Sequence, residues 1–280
     1  MGSEWRAEDD QAALWNGFAG RAWVETQDVL DGMFRPFENL LVEEVAAAGG
    51  CQVLDVGSGT GSTTLAMARR LGAHGHVLGI DISEPMIAAA RARAARENLP
   101  VDFIRADVQT HAFERARFDT IVSRFGVMFF DDPVRAFANL RRGAQERAGL
   151  RFAAWRSPAE NPFMTEAERA AAPFLPALPR RKPDAPGQFA FADRDRIARI
   201  LNASGWTEID IQPVDALCTL PEPDLIRYLT RFGPVGRALQ ETDEATRGRI
   251  AETVRAAFDP YVHGAEVRFT AACWMARARA

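Results

Sequence analysis

A doubly wound α/β fold on a mostly parallel sheet is what the sequence predicts, and three observations predict it. Residues 51–61, CQVLDVGSGTG, form an apolar, β-branched run that turns at an acid into alternate glycines, the pattern of a buried strand, a tight loop and a helix start. Two more apolar runs, residues 76–81 and 101–107, also end in acids and alternate with helix-period stretches, as parallel βαβ units do. An apolar share of 47% over 280 residues supports a sizeable core, and one α/β domain with added elements fits this length better than two.

Taken in order, residues 11–19 and 23–48 are expected to be helical. The second helix carries Val24, Leu30, Phe34, Phe37, Leu41 and Val45 on one face, with interruptions at Gly32 and Pro36. The first strand ends at Asp55, and residues 60–64 open a helix whose free N–H groups face the same crevice. A strand to Asp81, a helix from Pro85 to Asn98, a strand through residues 101–107 and a strand over residues 118–123 follow. The stretch 124–130, RFGVMFF, stands where a polar loop is usual, and Pro133 opens the next helix. A fifth strand covers residues 149–155. Seven prolines between 157 and 192 forbid a long element in the second half of that stretch, leaving a helix over 162–172 and an extended loop. Asp193 caps a helix ended by Gly205, residues 206–214 form a strand, helices fall near 223–231 and 243–258, and residues 267–275 form the last strand.

Spacing separates the ligands such a glycine loop can hold. A phosphate-binding loop needs Lys after its last glycine, and Gly61 is followed by Ser62 and Thr63. A nucleophile elbow needs glycine where Val56 stands. The dinucleotide fingerprint G-x-G-x-x-G is only approximated by G-x-G-x-G, so a nicotinamide-dependent (NAD(P)) oxidoreductase stays as an alternative.

The run D-V-G-S-G-T-G resembles the first motif of class I S-adenosylmethionine-dependent methyltransferases. Asp81, about twenty residues on, stands where a ribose-binding acid is expected, and residues 118–123 resemble the family's fourth motif. The segment 124–130 is similar to that of bacterial methyltransferases related to the ubiquinone/menaquinone C-methyltransferases. The resemblance implies a seven-stranded Rossmann-like sheet whose last strand is antiparallel. It implies four segments: an N-terminal helical flap (1–50), a cofactor core (51–155), a proline-rich loop (156–192) and a C-terminal half (193–280) with a helical lid at 215–264. It also implies S-adenosyl-L-methionine as cofactor, with S-adenosyl-L-homocysteine as product, and direct in-line transfer to a small organic molecule.

Asp55, Gly57, Ser58, Gly59, Thr60 and Gly61 would hold its amino-acid part. Asp81 would take the ribose hydroxyls and Asp107 and Val108 would face the adenine, with Ile82, Met86 and Ser123 completing the cofactor-binding set. Trp15, Trp23, Arg124, Phe125, Met128, Phe129 and Trp155 are expected to wall the acceptor pocket. Relatives usually carry Pro-Gly-Gly before the fifth strand; this chain has Gln145-Glu146-Arg147-Ala148-Gly149. A cofactor-binding protein without transferase activity is a further alternative.

Net charge of −4 and a pI near 5.7 offer nucleic acid no general attraction. Cys51, Cys218 and Cys273 are expected to be buried free thiols. The first ten residues lack an apolar core and no run approaches a membrane span, so a cytoplasmic monomer or homodimer is expected. His74 and His76 flank a glycine, and loop histidines rather than a metal site are expected. No general base is evident, His111 included.

Overall fold

Four short helices lead into the sheet in the computed structural model, which describes residues 11–176, 178 and 185–280. The first ten residues and the basic triplet Arg180-Arg181-Lys182 lie outside the described residues. Helices α1 (Gln11–Asn16), α2 (Phe18–Glu25), α3 (Gln27–Met33) and α4 (Arg35–Ala47) stand where two longer ones were expected. The breaks fall at Gly17, Thr26 and Phe34. Pro36 occupies the first turn of α4 rather than interrupting it, because a first-turn N–H has no intrahelical partner to lose.

β1 (Gln52–Val56), α5 (Ser62–Leu71), β2 (His76–Asp81), α6 (Glu84–Glu97), β3 (Val101–Arg105) and β4 (Phe118–Arg124) follow. They are succeeded by α7 (Pro133–Gly143), β5 (Ala144–Trp155), α8 (Phe163–Ala171), α9 (Arg194–Ala203) and β6 (Thr207–Pro221). Then come α10 (Leu225–Arg231), α11 (Gly233–Ala238), α12 (Glu244–Ala257), a two-residue β7 (Val262–His263) and β8 (Glu266–Arg279). The sheet order is β3-β2-β1-β4-β5-β8-β6, with β7 added on β8. The pairs among β1 to β5 are parallel, and β8 is antiparallel to both β5 and β6.

Chain order runs outward from β1 to β3 on one side and from β4 to β5 on the other. Right-handed crossovers in opposite directions put α5 and α6 on the face opposite α7. The direction switches between β1 and β4, and their carboxyl ends open a crevice there. Phe37, Leu41, Leu54, Ile121 and Phe152 are fully buried in the core beneath it.

Strands β6 and β5 differ most from expectation. β6 runs on to Pro221 because its pairing with β8 continues as far as Pro221 opposite Glu266, so residues 215–221 are sheet and the inserted helices begin at Leu225. β5 starts at Ala144: between Phe118↔Ala144 and Thr120↔Gly149 one residue of β4 faces four of β5. Arg147, at φ 61, absorbs the extra length, so a bulge does what a Pro-Gly-Gly turn would do. All three cysteines are free, but Cys51 is exposed; it precedes β1, and its Sγ donates to Gly49 O at 3.4 Å. His76 begins β2, its Nε2 2.9 Å from Asp102 Oδ2.

Candidate functional site

The loop after β1 is built by backbone that no side chain could replace. Gly57 has φ 68, and a Cβ there would sit 2.7 Å from Gly126 Cα, so the β1 and β4 loops touch glycine to glycine. Ser123 Oγ donates to Val56 O at 2.7 Å and accepts from Gly126 N–H at 3.1 Å, which fixes that contact. Below the loop, Asp55 is 1% exposed and accepts from Thr64 Oγ1 at 2.6 Å. Burial pushes its carboxyl up to about 6; the Thr64 bond and the Arg124 guanidinium pull it down, and Asp81 and Glu38 push it up. Ser58 is buried, Gly61 caps α5 in a left-handed conformation, and the Thr60 carbonyl accepts from Arg93 at 3.0 Å. Asp55, Ser58, Thr60, Gly61 and Ser123 thus brace the loop, none of them lining the cavity above it.

Asp81 ends β2. Its Oδ2 accepts Gly59 N–H and its Oδ1 accepts Ser83 N–H, both at 2.8 Å. Burial raises its pKa, and no described residue forms an ion pair with it. The next turn is held from the N-terminal helices. Asn16 bonds Ile82 O (3.1 Å) and Glu84 N–H (2.8 Å), and Ser83 Oγ donates to Trp15 O at 2.6 Å. A Cβ on Gly20 would lie 2.8 Å from Ser83 Oγ. Arg93 of α6 pairs with Asp31 of α3 at 2.7 Å, with both side chains mostly buried. The N-terminal helices are therefore bonded to the loops that carry Gly59 and Asp81.

Over these loops lies a cavity of about 490 Å³. Gly57, Gly59, Asp81, Ile82, Met86, Asp107 and Val108 line one part of it, and Trp15, Trp23, Arg124, Phe125, Met128, Phe129 and Trp155 line the rest. Every residue expected to wall an acceptor pocket is on this surface. Rings meet around it in sequence: Phe129 on Trp15 at 4.9 Å, Trp15 on Trp23 at 6.1 Å, Trp23 on Phe232 at 5.9 Å and Phe232 on Tyr228 at 5.6 Å. Below, Phe125 stacks on Trp155 at 4.6 Å and 12°. Phe125 has φ 66, a conformation a bulky residue holds only when its surroundings impose it.

Arg124 lies 3.8 Å from Glu38 of α4, side chains 10% and 16% exposed, and reaches Ser62 Oγ at 3.5 Å. Among the described residues the cavity is lined by no His, Cys or Lys; its titratable groups are carboxylates, arginines and Tyr228. His111 stays off it, its ring edge-on to Phe113.

A model described as a methyltransferase domain matches residues 53–146. A demethylmenaquinone methyltransferase of Renibacterium salmoninarum is 29% identical over 210 residues, which cover 72% of this chain and 85% of that protein. Nocamycin O-methyltransferase of Saccharothrix syringae is 37% identical over 100 residues, 35% of this chain and 36% of that one. The chain thus spans most of the first relative and about a third of the second. The glycine loop, the acid ending β2 and the matched segment coincide in space. Residues 53–146 form a methyltransferase domain, and the chain is similar to the class I S-adenosylmethionine-dependent methyltransferases.

Solved structures share the methyltransferase fold. The [4+2]-cyclase SpnF superposes with a TM-score of 0.57 at 17% identity over 93% of this chain and 94% of that one. A Bacillus halodurans protein described as a putative methyltransferase superposes at 0.52 with 14% identity over 85% and 97%. A cyclase on this scaffold is a reminder that fold alone does not assign a reaction.

The methyltransferase cofactor fits the residues present. Asp81 is a buried carboxylate without a cation, and each of its oxygens keeps acceptor capacity beyond one backbone bond. A Cβ on Gly59 would find neighbours only at 3.8 Å, so the loop is open above it. The dinucleotide alternative left open by the glycine spacing gives way to the family match.

Sequence reasoning missed Glu38, whose one signal is a charge set among the apolar residues Phe34, Phe37 and Leu41. It also missed Tyr228 and Phe232, which only the packing of α10 over the cavity brings to the site.

Proposed function

We propose that this methyltransferase acts on a small, largely apolar organic acceptor, with Gly57, Gly59, Asp81, Ile82, Met86, Asp107 and Val108 serving the cofactor, the rest of the 57–61 loop bracing them, and the aromatic chamber serving the acceptor. The observation that carries this reading is the continuity of one cavity from Asp81 to the rings of Phe125, Phe129 and Trp155. When bound, S-adenosylmethionine supplies an electrophilic methyl group on a cationic sulfur. The residues' part is binding, alignment and exclusion of water. Asp81 suits paired ribose hydroxyls because a carboxylate accepts two hydrogen bonds. Aromatic faces favour a cation and shed water from the space beside it. Alignment in a dry chamber can supply several kcal/mol of the barrier without a covalent step. On this reading the residues' share of the chemistry is positioning.

The segment division 1–50, 51–155, 156–192 and 193–280 belongs to the same reading, with α10 to α12 as the cover. No helix among the described residues is long and apolar enough to cross a membrane; we take the protein to work in the cytoplasm as monomer or homodimer. The test is incubation of the purified protein with methyl-labelled S-adenosylmethionine and fractionated small-molecule extract. Label in an organic product is expected. Binding of S-adenosylhomocysteine without labelled product from any fraction would instead indicate a cofactor-binding protein that transfers nothing.

A further inference from the structure

The cavity gathers indole N–H groups that the protein itself leaves unbonded. Five tryptophans are described. Trp206 Nε1 donates to Phe137 O at 3.0 Å and Trp274 Nε1 to Ala192 O at 2.9 Å, as tryptophans packed in protein usually do. Trp15, Trp23 and Trp155 line the cavity, and none of their N–H groups has an acceptor among the described residues. Trp23 is the one beside the glycine loop: its Nε1 lies 3.8 Å from where a Cβ on Gly59 would stand. Its plane is fixed by edge contacts to Trp15 and Phe232, at 70° and 85°.

An indole N–H only donates, so its partner must be an acceptor. Asp81, the nearby protein carboxylate, is already bonded to the Gly59 and Ser83 N–H groups. On the proposed reading the ribose hydroxyls donate to Asp81, and the strongest remaining acceptor facing the loop is the carboxylate of the cofactor's amino-acid part. A buried carboxylate needs donors, yet Arg124, the cation on this floor, is engaged by Glu38 and Ser62.

We propose that the Trp23 indole N–H donates to the carboxylate of the bound cofactor, which makes Trp23 a cofactor-binding residue rather than a wall of the acceptor pocket. This rests on the methyltransferase reading, and the experiment separates the two.

Affinities of wild type and W23F for S-adenosylhomocysteine and for methylthioadenosine, which keeps the ribose and adenine but lacks the amino-acid part, are measured by calorimetry. W23F keeps an aromatic ring and removes the N–H. A hydrogen bond to a charged group implies about 10- to 150-fold weaker S-adenosylhomocysteine binding, with methylthioadenosine changed less than about twofold. Equal weakening of both ligands would make Trp23 a cover or a ribose contact, and no weakening of either would leave it without a binding role; each overturns the proposal alone. Wild-type protein that binds neither ligand overturns the methyltransferase reading with it. Should W23F lose its fold, benzothienylalanine incorporated at position 23 replaces only the ring N–H by sulfur, and the same selective loss is required of it.

Discussion

Asp55→Asn should make this protein more stable, and more so at high pH. The Asp55 carboxyl is 1% exposed, and burial pushes it from the usual 3.8 up to about 6 in the folded protein. A carboxyl whose folded pKa is raised favours folding below its unfolded value, and that contribution is lost as pH rises through the folded one. Taking about 1.36 kcal/mol per pH unit, ionised Asp55 weakens folding by about 3 kcal/mol at pH 8 and about 1.6 kcal/mol at pH 5. Asparagine removes the charge and keeps an oxygen for the Thr64 hydroxyl, which donates at 2.6 Å. Urea unfolding of wild type and D55N at the two pH values measures the difference. The expected result is a variant more stable at pH 8 by up to about 3 kcal/mol, the advantage shrinking by about 1.4 kcal/mol at pH 5. A destabilised variant at pH 8, or an advantage equal at both pH values, would refute an uncompensated buried charge. Such a result would mean that the Arg124 guanidinium compensates the Asp55 charge in full.

Other perturbations address the rest of the site. Asp81→Asn keeps one acceptor but turns an amide NH₂ toward a backbone N–H; affinity for S-adenosylhomocysteine should fall by roughly 10- to 100-fold by calorimetry, with unfolding changed far less. Gly126→Ala puts a Cβ 2.7 Å from Val56 O and 2.8 Å from Gly57 Cα. The backbone must shift, and a loss of about 1–3 kcal/mol in urea unfolding is expected, with cofactor binding lost; an unchanged variant would mean the two loops are not in contact. Phe125→Ala removes the ring stacked on Trp155 while keeping a side chain at φ 66. About 3–5 kcal/mol of stability should go, and Phe125→Leu should recover a good part of it.

Much of the cofactor side is legible locally because it depends on short-range rules. Alternate glycines after an apolar run ending in Asp55, and a second run ending in Asp81, each announce a strand end, and parallel pairing of β1 with β2 brings any two such ends together. What that rule does not give is which of the marked residues face the ligand. Ser58 and Thr60 alternate with Gly57 and Gly59 and stay off the cavity, Gly61 is taken up in capping α5, and Ser123 is turned to Val56 O. β6 reads short because its outer half, residues 215–221, lacks clean alternation; it is a strand because β8 supplies hydrogen-bond partners as far as Glu266.

By itself the sequence determined the order of strands and helices, the glycine loop and the acids at strand ends, because period, capping and turn chemistry act within a few residues. The tertiary structure alone decided that Glu38 sits beside Arg124 and that α10 brings Tyr228 and Phe232 over the crevice. It also decided that Trp15 and Trp23, some forty residues ahead of the loop, close the same cavity. Those contacts join residues up to about two hundred positions apart, as the bonds from Arg227 to Glu25 and Asp28 do. No local preference encodes such a meeting; it follows from which faces remain to be buried once the sheet has formed.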